Sequence, residues 1–217
     1  MKVLAIDVGG THIKLLVSTK SKRRRFASGP KMTPAEMVKR VKELSVDWKY
    51  RAISIGYPGL VVQGRIAAEP RNLGPGWVGF DFAQAFDRPV RIVNDAAMQA
   101  LGSYEKGRLL FLGLGTGLGS AMVVDGRVEP MELGHLPYRK GRTYEDYVGA
   151  DGLKRLGKKK WRKHVWKVIE VLRAALEPDT VVVGGGNAKR LSDPPKGVRF
   201  GENSDAFKGG FLLWKTK

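Results

Sequence analysis

The sequence predicts an α/β protein in which one mixed-sheet theme is used twice. Three observations carry that prediction. The chain opens on two apolar runs around a Gly-Gly pair, and a second such pair, around Gly-Thr-Gly-Leu-Gly, begins at residue 108. Each pair is followed by short β-rich runs alternating with helical patterns. Three glycine-rich loops, DVGGTHIK (7–14), GLGTGLGS (113–120) and VGGGNAK (183–189), each come directly after a β-run.

Taken in order, MKVLAIDV (1–8) and HIKLLVS (12–18) read as a hairpin with a tight glycine turn. SKRRR (21–25) reads as an exposed loop. TPAEMVKRVKEL (33–44) is a helix, with Thr33 as N-cap, Pro34 at the first helical position and Met37, Val41 and Leu44 on one apolar face. RAISIGYPG (51–59) is a strand and turn, and VRIVN (90–94) a strand leading into a helix through Glu105. RLLFLGLGTGLGSAMVV (108–124) gives two strands, DGR (125–127) a second hairpin turn, and 159–177 the longest helix. DTVVVGGGNAKRL (179–191) is a strand, a glycine loop and a helix start, and AFKGGFLLW (206–214) a short closing helix.

Composition narrows the class. With 42% hydrophobic residues in 217, the chain can bury a sizeable core. It has no cysteine, which removes disulfides, thiolate zinc sites and cysteine nucleophiles. No apolar run approaches the roughly 20 residues of a membrane span, and no secretory pattern opens the chain, so a cytoplasmic protein without membrane partners is expected. The net charge of +18 favours a polyanion such as nucleic acid, an anionic surface or polyphosphate; the plainer alternative is a basic solubilising surface.

The glycine loops and carboxylates carry the chemistry. Strand ends followed by glycine turns let backbone N–H groups approach phosphate. Asp7 precedes the first loop. A carboxylate there repels phosphate unless a cation stands between them, and Mg²⁺ held largely through water meets that need. Thr11 offers a hydroxyl and Lys14 a charge, although Lys14 also suits an ordinary hairpin. Asp95, at the end of an apolar strand, can accept a proton from an alcohol, a role worth about 10²–10⁴-fold. Asn94 beside it can orient hydroxyls, or N-cap the next helix with Asp95 in its first turn. MELGHLPY (131–138) adds Glu132 and His135, and RTYEDY adds Glu145. Acid, His and amide groups together suit a sugar, whose hydroxyls both donate and accept.

These motifs, in this order, resemble the ROK sugar kinases, most closely their polyphosphate glucokinase branch. DVGGTHIK is similar to the family's first phosphate motif, GYPGLV (56–61) to the loop after its third strand, and EPRNLGPGW (69–77) to its sugar loop. VNDA (93–96) is similar to the catalytic motif, LGTGLGSA (114–121) to the second phosphate motif, ELGH (132–135) to the sugar-holding signature, and VVVGGGNAK (181–189) to the segment at the nucleotide's adenosine end. The resemblance implies two RNase H-like lobes of the actin/hexokinase type around a central cleft that closes on sugar. Residues 1–94 with 205–217 would form one lobe and 95–204 the other. It implies Asp95 as base toward a hexose 6-hydroxyl, glucose above all, and Asn72, Asn94, Glu132, His135 and Glu145 as sugar ligands. Gly9, Gly10, Thr11, Gly115, Thr116 and Gly117 would surround the transferred phosphate, with Gly185 and Gly186 near the donor's far end. ATP or inorganic polyphosphate is the implied donor, with Mg²⁺ near Asp7, and a homodimer is expected. Many ROK proteins carry a Cys-rich zinc loop after the Gly-His pair; this chain has no cysteine there, so no zinc is expected.

KRLGKKKWRKHVWK (154–167) holds eight Lys/Arg. Trp161, Val165, Ile169, Leu172 and Leu176 make one apolar face, while Lys159, Lys163 and Lys167 share another. That basic face is either simply solvated or a track for polyphosphate. A nucleic-acid-binding protein is the rival suggested by charge alone. It lacks the usual recognition motifs and leaves Asp7, Asp95 and Glu132 unexplained, so nucleic acid is not expected as a partner. A non-catalytic sugar-binding regulator is a further alternative, against which the intact Asp95 counts.

Overall fold

The computed structural model describes residues 1–202 and 204–215. They fall into two compact units, one built from Met1–Met98 and the segment from Ala206 onward, the other from Gln99–Asp205.

In the first unit, β1 (Val3–Val8), β2 (His12–Val17), β3 (Arg24–Ala27), β4 (Ala52–Tyr57) and β7 (Val90–Asn94) form one sheet in the order β3-β2-β1-β4-β7. The β1–β2 and β2–β3 pairs are antiparallel; β1–β4 and β4–β7 are parallel. The continuous apolar runs become the covered strands, with β4 buried at every position, whereas β2 buries only alternate residues. Helix α1 (Pro34–Leu44) starts as its sequence dictates: Thr33 Oγ1 accepts the Glu36 N–H at 3.3 Å, and Met37, Val38 and Val41 face the core. A small hairpin, β5 (Val61–Val62) and β6 (Arg65–Ile66), and α2 (Phe82–Phe86) lie between β4 and β7.

The basic run at 21–25 is not wholly a loop. Arg24–Ala27 pairs with β2 as an edge strand. Long-range partners stabilise it: Arg24 bonds Asp47 and the Leu44 carbonyl and lies 4.3 Å over the Trp48 ring, while Phe26 packs on the core. Charged edge strands of this kind discourage pairing with other chains.

Helix α3 (Asp95–Ser103) leads to the second unit. Its sheet, β10-β9-β8-β13-β14, is made of β8 (Arg108–Leu114), β9 (Leu118–Val124), β10 (Arg127–Met131), β13 (Thr180–Gly184) and β14 (Val198–Phe200). Again the first two pairings of β8 and β9 are antiparallel and the next two, through β13, are parallel. The Asp-Gly turn before Arg127 has φ of 50° and 78°, the left-handed pair that suits a type I′ hairpin.

Between β10 and β13 run a second small hairpin, β11 (Pro137–Arg139) and β12 (Arg142–Thr143), then α4 (Tyr144–Val148) and α5 (Ala150–Leu176). Helix α5 starts earlier than residue 159. Gly157, at φ 73° and ψ 158°, breaks it into two segments, which hides the first segment from a periodicity reading. Trp161, Val165, Val168, Ile169 and Leu172 bury its core face, and Trp161 Nε1 donates to the Val148 carbonyl at 2.8 Å.

The closing helix α6 (Asp205–Leu212) forms despite its two glycines, and one of them explains the pair's tolerance. A Cβ on Gly210 would sit 2.7 Å from Ala5 Cβ and 3.4 Å from Ser54 Cβ, so the helix touches the sheet backbone closely there. Ser54 Oγ donates to the Gly210 carbonyl, and Trp214 Nε1 donates to Ser54 Oγ at 2.9 Å. Among the described residues no helix is long and apolar enough to cross a membrane. Gly210→Val should destabilise the protein by about 1–3 kcal/mol through overpacking. A calorimetric melt should show a clear fall in Tm; an unchanged Tm would contradict this packing.

Candidate active site

The carboxyl ends of parallel strands are where α/β sheets offer ligand-binding crevices. In the first unit those ends hold Asp7 on β1, Gly56 and Tyr57 on β4, and Val93 and Asn94 on β7, in register across the sheet. The turn between β1 and β2 falls at the same edge. Gly9 N–H donates to the His12 carbonyl at 3.1 Å, and Ser28 N–H to the Thr11 carbonyl at 3.0 Å. A Cβ on Gly9 would lie 2.8 Å from the His12 oxygen, and one on Gly10 3.0 Å from Asn72 Cβ. Asn72 is thus packed against the first glycine loop.

Asp7 is nearly buried, with 13% of its side chain exposed, and Lys14, its cross-strand partner, places Nζ 2.8 Å from Asp7 Oδ2. The pair answers what Lys14 does: it neutralises Asp7. Among the described residues no group of three or more His, Asp or Glu is arranged to hold a metal by itself. A cation at Asp7 would draw its other ligands from water and phosphate, the habit of Mg²⁺.

Asn94 and Asp95 sit where β7 becomes α3. Asn94 Oδ1 accepts the Ala96 and Ala97 N–H groups at 2.9 and 3.2 Å, and its Nδ2 donates to the Gly59 carbonyl at 3.1 Å. Asn94 therefore caps α3 and ties it to the turn after β4. Asp95 is half-buried in the first turn, where the positive end of the helix dipole favours a carboxylate, and its Oδ1 accepts the Ala96 N–H at 2.8 Å.

In the second unit the β8–β9 turn carries Gly115, Thr116 and Gly117. Gly115 N–H donates to the Gly117 carbonyl at 3.2 Å, and the Thr116 carbonyl accepts the Ala150 N–H at 2.9 Å. Glu145 lies beneath this turn: its carboxylate accepts the Leu118 N–H at 3.2 Å and occupies the space a Cβ on Gly117 would need. The turn Glu132–His135 packs alongside, a Cβ on Gly134 coming 3.5 Å from Glu145 Cβ. Buried Ser120 pins it to β9 by donating to the Met131 carbonyl and accepting the Leu133 N–H. Glu132 and His135 point the same way, with Oε2 and Nδ1 3.9 Å apart and both side chains more than half exposed.

The third glycine loop meets the second. Gly185, at φ 83°, lies so close to Leu114 that a Cβ would fall 2.5 Å from its carbonyl oxygen. Asn187 locks the two loops, donating its N–H to the Leu114 carbonyl at 2.9 Å and its side-chain amide to the Gly115 carbonyl at 3.0 Å. Gly186 is exposed beside it.

Two organising residues escape sequence reasoning. Asn187 stands in a glycine loop whose glycines draw the attention. Glu69 accepts the Trp77 and Val78 N–H groups, each at 3.1 Å, and so closes the loop that carries Asn72; those bonds, Val78's first, hold its carboxyl below the usual range. The only signal available for either was a polar residue beside a Gly-rich turn.

The β11–β12 hairpin, lying between His135 and Glu145, is held by aromatic packing. Tyr138 meets Tyr144, Tyr147 and His164 at ring distances of 5.0–5.7 Å, and its hydroxyl lies 3.0 Å from His164 Nδ1. On α5, Lys158, Lys159, Arg162, Lys163 and Trp166 line an open groove of about 450 Å³. Lys167 does not line it; its Nζ lies 3.0 Å from Glu170 Oε1.

Burial lowers the His164 pKa, with Arg139 and Arg155 adding to the shift. A depressed histidine pKa means that the folded state binds fewer protons. Stability from this contact is present above the unfolded value of about 6.5 and is lost as pH falls from there toward the folded pKa. An NMR titration should place His164 below the ordinary value; a midpoint at or above it would contradict the packing.

The sequence profile of the ROK family matches residues 3–140. A polyphosphate glucokinase of Mycobacterium leprae (strain TN) is 28% identical over 208 residues, covering 85% of this chain; the chain spans 63% of that protein's length. Among solved structures, an inorganic polyphosphate/ATP-glucomannokinase from Arthrobacter sp. strain KM is 24% identical and superposes with a TM-score of 0.83 over 98% of this chain and 97% of its own. A ROK family glucokinase from Streptomyces griseus, in complex with glucose and AMPPNP, is 16% identical, with a TM-score of 0.78 over 98% and 99%. The fold is that of the hexokinase-type sugar kinases, built on the actin-like ATPase plan. The match over residues 3–140, more than half of its length, makes the chain a member of the ROK family.

Proposed function

We propose that the chain is a sugar kinase that transfers a phosphoryl group from ATP or inorganic polyphosphate to the 6-hydroxyl of a hexose, glucose in the first instance. The observation that carries the reading is Asp95. It stands at the first turn of α3, at the sheet edge that also holds the Gly9–His12 turn and Asp7. The names of the relatives, polyphosphate glucokinase and polyphosphate/ATP-glucomannokinase, support the substrate and donor classes.

In this mechanism Asp95 accepts the 6-hydroxyl proton as the hydroxyl oxygen bonds to the terminal phosphorus. The phosphorus–oxygen bond to the donor breaks, and ADP or a polyphosphate shorter by one unit leaves. Asn72, Glu132, His135 and Glu145 hold the sugar, and Asn94 contributes by fixing the α3 entrance against Gly59. Backbone N–H groups around Gly9, Gly10 and Thr11 and around Gly115, Thr116 and Gly117 stabilise the equatorial oxygens. Gly185 and Gly186 leave room for the rest of the donor. Phosphoryl transfer asks the protein mainly to position reactants and stabilise charge, which such loops do. Mg²⁺ at Asp7 would neutralise phosphate charge, and Lys14 keeps Asp7 oriented. We place the reaction in the cytoplasm, where ATP is held.

Asp95→Asn should lower kcat by about 10²–10⁴-fold, the span expected for a positioned base, while calorimetry still detects hexose binding. Turnover at the parental rate would overturn the mechanism. A parent that binds hexose but phosphorylates none would instead be a sugar-binding regulator.

A further inference from the structure

The charge on the second segment of α5 is not used by the proposed reaction. Lys158, Lys159, Arg162 and Lys163 line one groove with Trp166, and no lining residue is acidic. Lys158–Arg162 and Lys159–Lys163 are like-charge pairs four residues apart, an arrangement that destabilises a helix. Lys167 shows the ordinary alternative, since it is neutralised on its own helix by Glu170. Arg162 lies 3.8 Å from the carboxylate of Asp193, which is 95% exposed.

The groove is also tied to the phosphate loops within the same unit. Arg162 donates to the Ser192 hydroxyl and carbonyl. Ser192 follows the turn Ala188–Arg190, where Arg190 Nε lies 3.3 Å from Asn187 Oδ1 and Lys189 and Arg190 are exposed. Asn187 in turn bonds the Gly115 carbonyl. Bonded neighbours, Arg190 and Arg162 among them, thus connect the second phosphate loop to α5.

We propose that the groove lined by Lys158, Lys159, Arg162, Lys163 and Trp166 anchors the distal phosphates of a long inorganic polyphosphate whose reacting end lies at the Gly115–Gly117 turn. This rests on the kinase reading and deepens it by naming the donor's second subsite. ATP is too short to need such a groove. Single-stranded nucleic acid is disfavoured because its binders stack successive bases on several aromatic rings, and this groove has Trp166 alone.

The test is equilibrium binding without sugar, comparing long-chain polyphosphate with tripolyphosphate. The parent should prefer the long chain. A triple variant, Lys158→Gln, Lys159→Gln and Lys163→Gln, alters exposed side chains and should bind the two lengths alike, losing roughly tenfold or more of the long-chain affinity with a shallower salt dependence. Unchanged long-chain affinity in a folded triple variant overturns the proposal. So does tighter binding of a single-stranded oligonucleotide than of polyphosphate of matched charge. Because no turnover is required, lysine-dependent binding without hexose phosphorylation would remove the kinase reading and leave the groove supported. Phosphorylation with lysine-independent binding would remove the groove alone.

Discussion

In each unit the turn of the first hairpin falls at the same sheet edge as the ends of the parallel strands that follow. β1 is antiparallel to β2 but parallel to β4 and β7, so the Gly9–His12 turn shares an edge with Tyr57 and Asn94. β8 is antiparallel to β9 but parallel to β13, so the Gly115–Gly117 turn shares an edge with Gly185. Helix N-termini and glycine backbone then collect at that edge, and both favour anions.

That polarity imposes a packing demand that glycine meets. Gly9, Gly10 and Gly185 each stand where a Cβ would come within 3.0 Å of a neighbour. Close loops need polar cement, because backbone groups drawn together must still be bonded. Asn187, Asn94 and Glu69 supply it, each satisfying backbone groups on two segments or across one loop. The carboxylates differ in the same terms. Asp7 is neutralised by Lys14, Glu145 is turned under a loop, and Asp95 is held at a helix start.

The covered strands, the two hairpin turns and helix α1 were legible, since continuous apolar runs, glycine pairs and the Thr33-Pro34 start express local rules. Asp95 and the glycine loops were legible as residues at strand ends. What escaped depends on distant partners. Arg24 reads as part of a solvated charge run until Asp47 and Trp48 are seen beside it. Gly157 disguises the first segment of α5 by interrupting its period. Lys167 shares a sequence face with Lys159 and Lys163, yet its bond to Glu170 separates it from the groove. Asn187 and Glu69 give no local sign of the loops they close.

The most direct test is to follow phosphorus by NMR in a mixture of the purified protein, glucose and Mg²⁺ with ATP or long-chain polyphosphate. A glucose 6-phosphate signal should grow with at least one donor, matched by loss of the donor's terminal phosphate. Donor that stays intact, or that is hydrolysed to free phosphate with no phosphohexose formed from glucose or any other hexose, would contradict the kinase reading.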